Sequence, residues 1–318
     1  MKDKDFCGKY HREVIKYYSN ALSRRIIHKN LFDQKYCKEV ITAKDGNDKI
    51  KKMIESGKPF MAGRFGGNEI RTMCDVIFEE SGGKCGGLSS RTRYKITNQA
   101  GFFPDDKDEI YKLVHLYTES CKSVDLIGVW NMFLYGEITK RYMPNAIYSE
   151  LKGLEPYYFD NPWTKGLKNK KVLVIHPFSD TIEMQYSKRE KLYESEDILP
   201  NFCLRTVKAI QTIAGERDSR FSTWFDAFDY MYNESMKEDF DIALIGCGAY
   251  GFPLAAKIKE AGKQVIHMGG SLQILFGIKG SRWDNHEYIS RLYNDEWVRP
   301  SEKEKVLNSQ VVEGSCYW

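Results

Sequence analysis

Apolar residues near the start of the chain recur at helical spacing, with basic side chains between them. This pattern predicts a helix within residues 8–31, whose apolar positions are Val14, Ile15, Tyr18, Leu22, Ile26 and Ile27. A second helix is predicted from Asn47, as N-cap, to Gly57. A basic first helix could lie on a membrane surface, although packing against the body of the protein is the commoner use of such a helix.

From residue 60 onward, short apolar runs alternate with amphipathic stretches. The runs predict strands at 60–62, 124–129, 172–175, 204–207, 242–245 and 265–268. The amphipathic stretches predict helices at 68–79, 106–122, 180–193, 223–237 and 253–261. This alternation predicts an α/β fold, with a Rossmann-like, mostly parallel sheet, helices on both faces and extra N-terminal helices.

The same pattern suggests how the chain is organised. Its expected parts are an N-terminal helical extension (1–57), a Rossmann-like domain (58–299) and a C-terminal tail docked on the body (300–318). Pro156, Pro162 and Gly166 interrupt the periodicity, so the domain has either two halves, 58–150 and 171–299, or one sheet with a long crossover. The tail ends in Tyr-Trp, an aromatic pair expected to pack against the protein.

Composition narrows the functional classes. Of the 318 residues, 42% are hydrophobic and 29% charged, which is typical of a folded globular protein. The net charge is +4 without a basic face, so a nucleic-acid partner is not expected. The eight cysteines include no C-x-x-C pair, which argues against a zinc site or a disulfide framework. Because the first residues lack a signal-peptide pattern, we expect a cytoplasmic protein, with membrane contact at most through the first helix.

Candidate chemistry lies where predicted strands end, because ligands bind at the carboxyl ends of strands in an open parallel sheet. The first loop, 63–69, reads Gly-Arg-Phe-Gly-Gly-Asn-Glu. Its glycines and the following helix start suit a phosphate, with expected contacts at Arg64, Gly66, Gly67 and Asn68. Glu69 could bind a metal or a sugar hydroxyl, or could only compensate the helix dipole.

The second loop, 246–251, is a G-x-G-x-x-G placed directly after a strand. Ligand contacts are expected at Gly246, Gly248, Tyr250 and Gly251. A dinucleotide is one interpretation, but a dehydrogenase needs an acid for the ribose about twenty residues later. Residues 265–270 contain no acid, so the motif favours a phosphate or ribose contact over NAD.

A third glycine-rich loop follows the last predicted strand. Contacts are expected there and just beyond at His267, Gly269, Gly270, Gln273, Arg282 and Trp283. Trp283 could equally fill the core or stack on a ligand. His176 ends another predicted strand and precedes Pro177, which makes it a candidate for acid–base chemistry. The alternative is a histidine hydrogen-bonded to backbone beneath a loop.

Together these segments resemble bacterial glycosyltransferases of the D-type (GT-D) fold, and related proteins encoded with capsular and other surface-polysaccharide genes. The resemblance spans the chain from about residue 58 onward and rests on 63–69, 245–254, 266–276 and 280–283. The family pattern is R-[FY]-G-D-G-E, whose Asp-x-Glu binds a divalent metal. This chain matches the Arg, the aromatic residue, the first Gly and the Glu, but Gly67 stands at the Asp position and Asn68 at the second Gly.

The resemblance implies transfer of a sugar from a nucleotide donor, typically a UDP-sugar, to a glycan or lipid-linked acceptor in surface-polysaccharide biosynthesis. It implies Mn²⁺ or Mg²⁺ as a cofactor, held through Glu69 if at all. The glycine loops with Arg64 and Arg282 would stabilise the leaving diphosphate, and Glu69 or His176 would accept the acceptor's proton. Two alternatives stay open: an NAD(P)-dependent oxidoreductase or epimerase using 246–251, and a non-catalytic nucleotide-sugar-binding protein.

Overall fold

The computed structural model describes residues 3–27, 36–312 and 314–318, and within the first helix it describes side chains only up to residue 16. In these residues an eight-stranded sheet forms, and each strand is parallel to its neighbours. Its strands are β1 (Val40–Ile41), β2 (Phe60–Arg64), β3 (Leu126–Val129), β4 (Ile147–Glu150), β5 (Lys171–His176), β6 (Cys203–Lys208), β7 (Ile242–Ile245) and β8 (Gln264–His267). The predicted α/β class with a parallel sheet is confirmed.

The helices cover both faces of the sheet. They are α1 (Lys4–Ile27), α2 (Ala43–Glu55), α3 (Gly67–Glu80), α4 (Ser90–Tyr94), α5 (Lys107–Ser120), α6 (Tyr135–Tyr142), α7 (Ser179–Ser187), α8 (Trp224–Lys237), α9 (Gly251–Glu260) and α10 (Leu272–Leu275). One apolar layer packs α3, α5, α8 and α9 on the sheet, and the other packs α2, α7 and α10. Among the described residues, none of the helices has both the length and the apolar character needed to cross a bilayer.

Several predicted elements differ from the structure. The N-cap of α2 is Thr42 rather than Asn47, since the Thr42 side chain accepts the N–H of Asp45 at 3.1 Å. Asn47 is buried inside that helix, where its Oδ1 accepts the N–H of Trp163 at 2.8 Å. The α7 helix ends at Ser187, before the predicted end at 193.

The first helix can be compared with its prediction only in part. Its described beginning packs on the body, because Phe6 and Tyr10 are buried and the Tyr10 ring stacks on Phe78. Ile15, predicted to lie on the apolar side, is exposed. The side chains of Tyr18, Leu22, Ile26 and Ile27, and residues 28–31, lie outside the described part of the chain.

The strand order is β1-β4-β3-β2-β8-β7-β5-β6. Strands from the first half of the chain form one side of the sheet, strands from the second half form the other, and the two sides join where β2 pairs with β8. The predicted 1–57 segment contributes β1, which pairs with β4 at the edge. All strands are parallel, so their carboxyl ends lie along one edge.

The sheet also has a crevice at this edge. The chain leaves β5 into α7 on one face, whereas it leaves the neighbouring strand β7 into α9 on the opposite face. Where helices diverge in this way, the loops separate and leave space for a ligand. The last residues of the chain pack at the same edge, because the buried Trp318 contacts the ring of Phe178 and donates its indole N–H to the carbonyl of Glu304.

Candidate functional site

A cleft runs along the carboxyl edge of the sheet. Its walls are the segments that follow six adjacent strands, in the spatial order β3, β2, β8, β7, β5 and β6. Five spacings of about 4.8 Å between these strands give the cleft a span of roughly 24 Å. The cleft is therefore long enough for a ligand made of several linked rings and charged groups.

Most of the predicted site residues meet in this cleft. Those that line it are Arg64, Gly66, Gly67, Asn68, Glu69, His176, Gly246, Gly248, Tyr250, Gly270, Gln273 and Arg282. Four others, Gly251, His267, Gly269 and Trp283, do not line it.

The loop between β2 and α3 brings Glu69 to the cleft. Gly66 is the N-cap of α3, and the Glu69 carboxylate lies over it: a Cβ on Gly66 would stand 2.1 Å from Glu69 Oε2. A side chain at position 66 would therefore displace the Glu69 carboxylate from this place. A Cβ on Gly67, in contrast, would meet only Met132 Sδ, at 3.9 Å, so space alone does not require glycine there. The amide of Asn68 donates to Gln99 Oε1 at 3.4 Å.

The three glycines of the 246–251 motif lie in different surroundings. A Cβ on Gly246 would stand 2.7 Å from both the Gly269 carbonyl oxygen and His176 Cδ2, so three loops touch at this point. Gly248 has a φ of +57°, in the left-handed region, and a Cβ there would meet only the Ala100 carbonyl oxygen, at 3.9 Å. Gly251 accommodates a histidine ring, because its Cβ would lie 2.3 Å from His267 Cε1. Only the first two of these glycines reach the cleft.

His176 lines the cleft as a hydrogen-bond donor. Its Nδ1 accepts the N–H of Phe178 at 3.0 Å, which places the proton of the neutral ring on Nε2. Burial lowers the pKa of His176 to about 3, so the ring stays neutral near pH 7. A neutral imidazole with Nε2 protonated cannot take up a substrate proton at that atom. The ring therefore does not suit the predicted role of general base, and its Nε2 can instead donate a hydrogen bond.

His267 lies beneath the start of α9, against Gly251, and not in the cleft. Burial, together with the charge of Arg64, lowers the pKa of His267 to about 3, and its Nδ1 has no hydrogen-bond partner in the part of the chain that the structure describes. The predicted ligand contacts at His267 and Gly251 are thus corrected to a packing contact between the two. Gly269 supports the turn with a φ of +64°, and Trp283 is buried against Gly280.

Two arginines bring positive charge to the cleft from either side of the Gly269–Gly270 turn. Arg64 lies beside Gly269, with its guanidinium 5.1 Å from the Trp130 ring centre and 4.0 Å from a Glu155 oxygen. Arg282 lies 4.9 Å from the ring of Tyr317, which packs on Gly270. Burial raises the pKa of the Glu155 carboxyl, although the Arg64 charge opposes this shift.

The helix starts around the cleft are not equivalent. The carboxylate of Glu304, from the C-terminal tail, accepts the N–H groups of Asp180 and Thr181 at 3.0 and 3.2 Å and so caps α7. No side chain of the N-cap residue caps α3 or α9. The chain thus supplies an anion at α7, and at α3 the Glu69 carboxylate lies over Gly66, whereas the Gly248–Tyr250 turn that precedes α9 lines the cleft without a capping side chain.

The side chains of Gln273 and Tyr250 connect the cleft wall to the surrounding structure. The Gln273 amide donates to the carbonyls of Ile278, Lys279 and Tyr317, which ties the tail to the body. Tyr250 stacks on Trp224 and shares a hydrogen bond with Thr212. Cys247 also lines the cleft, but burial raises the pKa of its thiol, so it is a poor nucleophile.

The acidic groups do not fit a metal ion held by protein ligands alone. Glu69 is the single carboxylate on the described cleft wall. Among the residues that the structure covers, no group of three or more His, Cys, Asp or Glu side chains is arranged for a metal. Gly67, at the position of a metal-binding Asp in the family pattern, supplies no ligand.

Sequence reasoning missed other wall residues. They include Gln99, Trp130, Phe178, residues 210–213, Val312 and Tyr317. Trp130 directly follows the predicted strand 124–129, and residues 210–213 begin three positions after the end of the predicted strand 204–207, so a search of the segments after predicted strands could have found them. Tyr317 had no such signal, because only the docking of the tail brings it to the cleft.

Comparisons with known proteins leave the family open. No protein-family model and no curated protein matches the chain. Among solved structures, the chain is similar to one described as the highly conserved domain of unknown function 1792, which has a distinct glycosyltransferase fold. The TM-score is 0.46 with 12% identity, over 84% of this chain and 92% of that one. A function for this chain must therefore be inferred from the cleft itself.

The contact at Gly246 predicts a loss of stability. In Gly246→Ala, the added methyl group would collide with the Gly269 backbone and the His176 ring, and we expect the free energy of unfolding to fall by about 1–3 kcal/mol. Urea denaturation measures this change. Gly67→Ala is the matched control and should change stability by less than about 0.5 kcal/mol. Equal effects of the two variants would contradict the packing described here.

The buried histidines predict a pH dependence of stability. Above pH 6.5 both chain states hold neutral imidazoles, but below it the unfolded chain binds protons that folded His176 and His267, each with a pKa of about 3, exclude. Stability should therefore fall as the pH falls from 6.5 toward 3, with a limiting slope of about 1.4 kcal/mol per pH unit for each histidine.

Urea denaturation between pH 7.5 and 5.5 tests this dependence. His176→Gln should reduce the slope of stability against pH by the contribution of one histidine. His286→Gln replaces an exposed imidazole outside the cleft and is the control. A slope that His176→Gln leaves unchanged would mean that the ring is protonated in the folded protein.

Proposed function

We propose that this protein is a glycosyltransferase that takes its sugar from a nucleotide-sugar donor, with UDP-sugars as the first candidates. One observation carries the proposal: residues 66–68 at the start of α3, the Gly248–Tyr250 turn before α9, Arg64, Arg282 and Glu69 all line one cleft. The cleft thus combines positive potential suited to a diphosphate with a carboxylate suited to proton transfer.

The donor's diphosphate would lie across the β2, β8 and β7 loops. Backbone N–H groups at two helix starts attract an anion, and guanidinium groups bind phosphate oxygens in pairs. His176 would add a hydrogen bond from Nε2 without adding charge. All of these groups are positioned by the fold before the ligand arrives, which is the arrangement that best stabilises charge developing in a transition state.

The transfer step uses the same groups. The bond between the anomeric carbon and the diphosphate oxygen breaks, and its electron pair leaves with the nucleoside diphosphate. The acceptor hydroxyl oxygen forms the new bond to the anomeric carbon and gives its proton to the Glu69 carboxylate. Arg64, Arg282 and the helix starts stabilise the negative charge on the departing diphosphate.

The proposal extends to acceptor and location. A glycan or a lipid-linked sugar is the acceptor class, in the assembly of a surface polysaccharide on the cytoplasmic side of a membrane. This part follows from the sequence resemblance. Deletion of residues 1–31 would then reduce binding to anionic liposomes.

A non-catalytic nucleotide-sugar-binding protein is the second candidate. Glu69 is the single carboxylate on the described cleft wall, which leaves catalysis dependent on one side chain. Turnover distinguishes the two candidates. The NAD(P) alternative lacks the acid that would bind the ribose, since β8 ends in the buried His267.

Ligand-induced stabilisation tests the donor site. A nucleotide at 100 times its dissociation constant should stabilise the folded protein by about 2.7 kcal/mol, and we expect UDP or a UDP-sugar to do so in EDTA as well as in Mn²⁺. Thermal unfolding with UDP, UDP-sugars, other nucleotide sugars, NAD and NADP measures this effect. Arg64→Ala should abolish most of the stabilisation.

The control for this experiment is Arg291→Ala, which removes only an exposed arginine paired with Glu287. Its response to UDP should equal that of the unmodified protein. Stabilisation by NAD or NADP alone would contradict the proposal. A response to UDP that requires Mn²⁺ would mean that a metal contributes despite the sparse ligand set.

Glu69→Gln tests the catalytic step. The amide keeps the shape of the side chain but cannot accept the proton, so release of UDP from a UDP-sugar with water as acceptor should fall by about 10²–10⁴-fold. The stabilisation by UDP should persist, because Glu69 is not proposed to hold the nucleotide. Unchanged turnover would remove Glu69 from the mechanism, and absence of turnover in the unmodified protein would favour the binding protein.

A further inference from the structure

Trp130 differs from the other tryptophans in its exposure. Its side chain is 37% exposed at the wall of the cleft. The others are at most 8% exposed: Trp163, Trp224, Trp283, Trp297 and Trp318. A large ring left open in a cleft, while its counterparts are all buried, indicates a surface that a ligand covers.

Contacts to both its side chain and its backbone hold Trp130 in place. Its indole N–H donates to the carbonyl of Phe65 at 3.4 Å, and the Trp130 carbonyl accepts the hydroxyl of Tyr36 at 3.0 Å. The guanidinium of Arg64 lies over the ring at 5.1 Å. A ring fixed in this way loses little conformational entropy when a ligand packs on it, which favours binding.

Trp130 lies at the Glu69 end of the cleft. It directly follows β3, and two residues later Met132 lies next to the Cβ position of Gly67 in the loop that carries Glu69. The opposite end, at β5 and β6, is lined by Phe178 and by residues 210–213. The two ends therefore differ: one combines an open indole with the carboxylate, and the other combines the buried ring of Phe178 with aliphatic, hydroxyl and amide groups.

We propose that Trp130 is the platform on which the acceptor's sugar ring packs. This inference rests on the proposed function, in which Glu69 must touch the acceptor hydroxyl. The ring next to Glu69, beyond the diphosphate, then belongs to the acceptor, and the nucleoside lies toward β5 and β6. The electron-rich face of an indole attracts the polarised C–H groups on one face of a pyranose, which suits this pairing.

Fluorine NMR of protein labelled with 5-fluorotryptophan tests the assignment. The spectrum of Trp130→Phe identifies the Trp130 resonance. The probes are methyl glycosides of glucose, galactose and N-acetylglucosamine, each added with UDP present, and UMP added alone. We expect the Trp130 resonance to move with at least one glycoside and to stay in place with UMP. Movement with UMP, or with none of the probes, would overturn the inference.

Affinity measurements separate a platform from a merely structural ring. For the glycoside that binds best, Trp130→Ala should raise the dissociation constant about tenfold or more, and Trp130→Phe should restore part of the loss. The dissociation constant for UDP should change less than twofold in both variants. Tyr94→Ala, which removes an exposed ring outside the cleft, is the control and should change neither constant. Equal losses for UDP and the glycoside would indicate general damage and reject the platform.

The two proposals fail in different ways. If UDP does not stabilise the protein but glycosides move the Trp130 resonance, the nucleotide-sugar function fails and a sugar site remains. If UDP stabilises the protein and the Trp130 resonance moves with UMP, the function stands and the ring supports the nucleobase instead.

Discussion

Gly246 lies where the loops after β5, β7 and β8 meet, and the distances around it leave no room for a Cβ atom. These loops follow neighbouring strands that pair in parallel, so the carboxyl ends of the three strands lie side by side at the same edge of the sheet. Without a side chain between them, His176, the Gly246 backbone and the Gly269 carbonyl form one continuous wall. The cleft depends on this contact, since a separation here would displace the His176 donor and the turn that lies between Arg64 and Arg282.

The fold places negative and positive charges at different parts of the cleft edge. The tail places Glu304 at the start of α7, which satisfies backbone N–H groups that would otherwise attract an anion. No N-cap side chain makes a capping hydrogen bond at α3 or α9, although the Glu69 carboxylate lies over Gly66 at α3, and both arginines lie near the β2 and β8 loops. The positive potential is thereby concentrated on one part of the cleft. The C-terminal tail thus helps to decide where a negatively charged group can bind, even though its acidic residue is not on the wall.

Fold and site were predictable to different degrees. Buried strands such as β5 and β7 are continuous apolar runs in the sequence. Their alternation with amphipathic stretches predicted the α/β class. The strands β1 and β4 were missed because β1 has two residues and β4 includes Ser149 and Glu150. The glycine-rich loops were found because glycine marks close backbone approach. The ring of Tyr317 was not, because its place depends on tertiary packing of the tail.

His176 and His267 show most clearly the limit of prediction from the sequence, since each is the last residue of a strand. The pairing of Ile175 with Ile245, and of Ile245 with His267, places His267 one register step deeper than His176. One step turns a side chain to the opposite face of a sheet. His267 therefore packs under α9, whereas His176 reaches the cleft. Only the register between distant strands decides this, and a single sequence does not encode it locally.

The surroundings of the wall residues also limit which of them can accept a proton. His176 has its Nδ1 committed to the Phe178 N–H, so its open nitrogen is a donor. Cys247 is too deeply buried to ionise readily. Among the described wall residues, the group left to accept a proton is the carboxylate of Glu69, placed at a helix start close to both Arg64 and the Trp130 segment. The proposed reaction would therefore occur near the β2 end, where positive charge, a carboxylate and an open aromatic ring lie together.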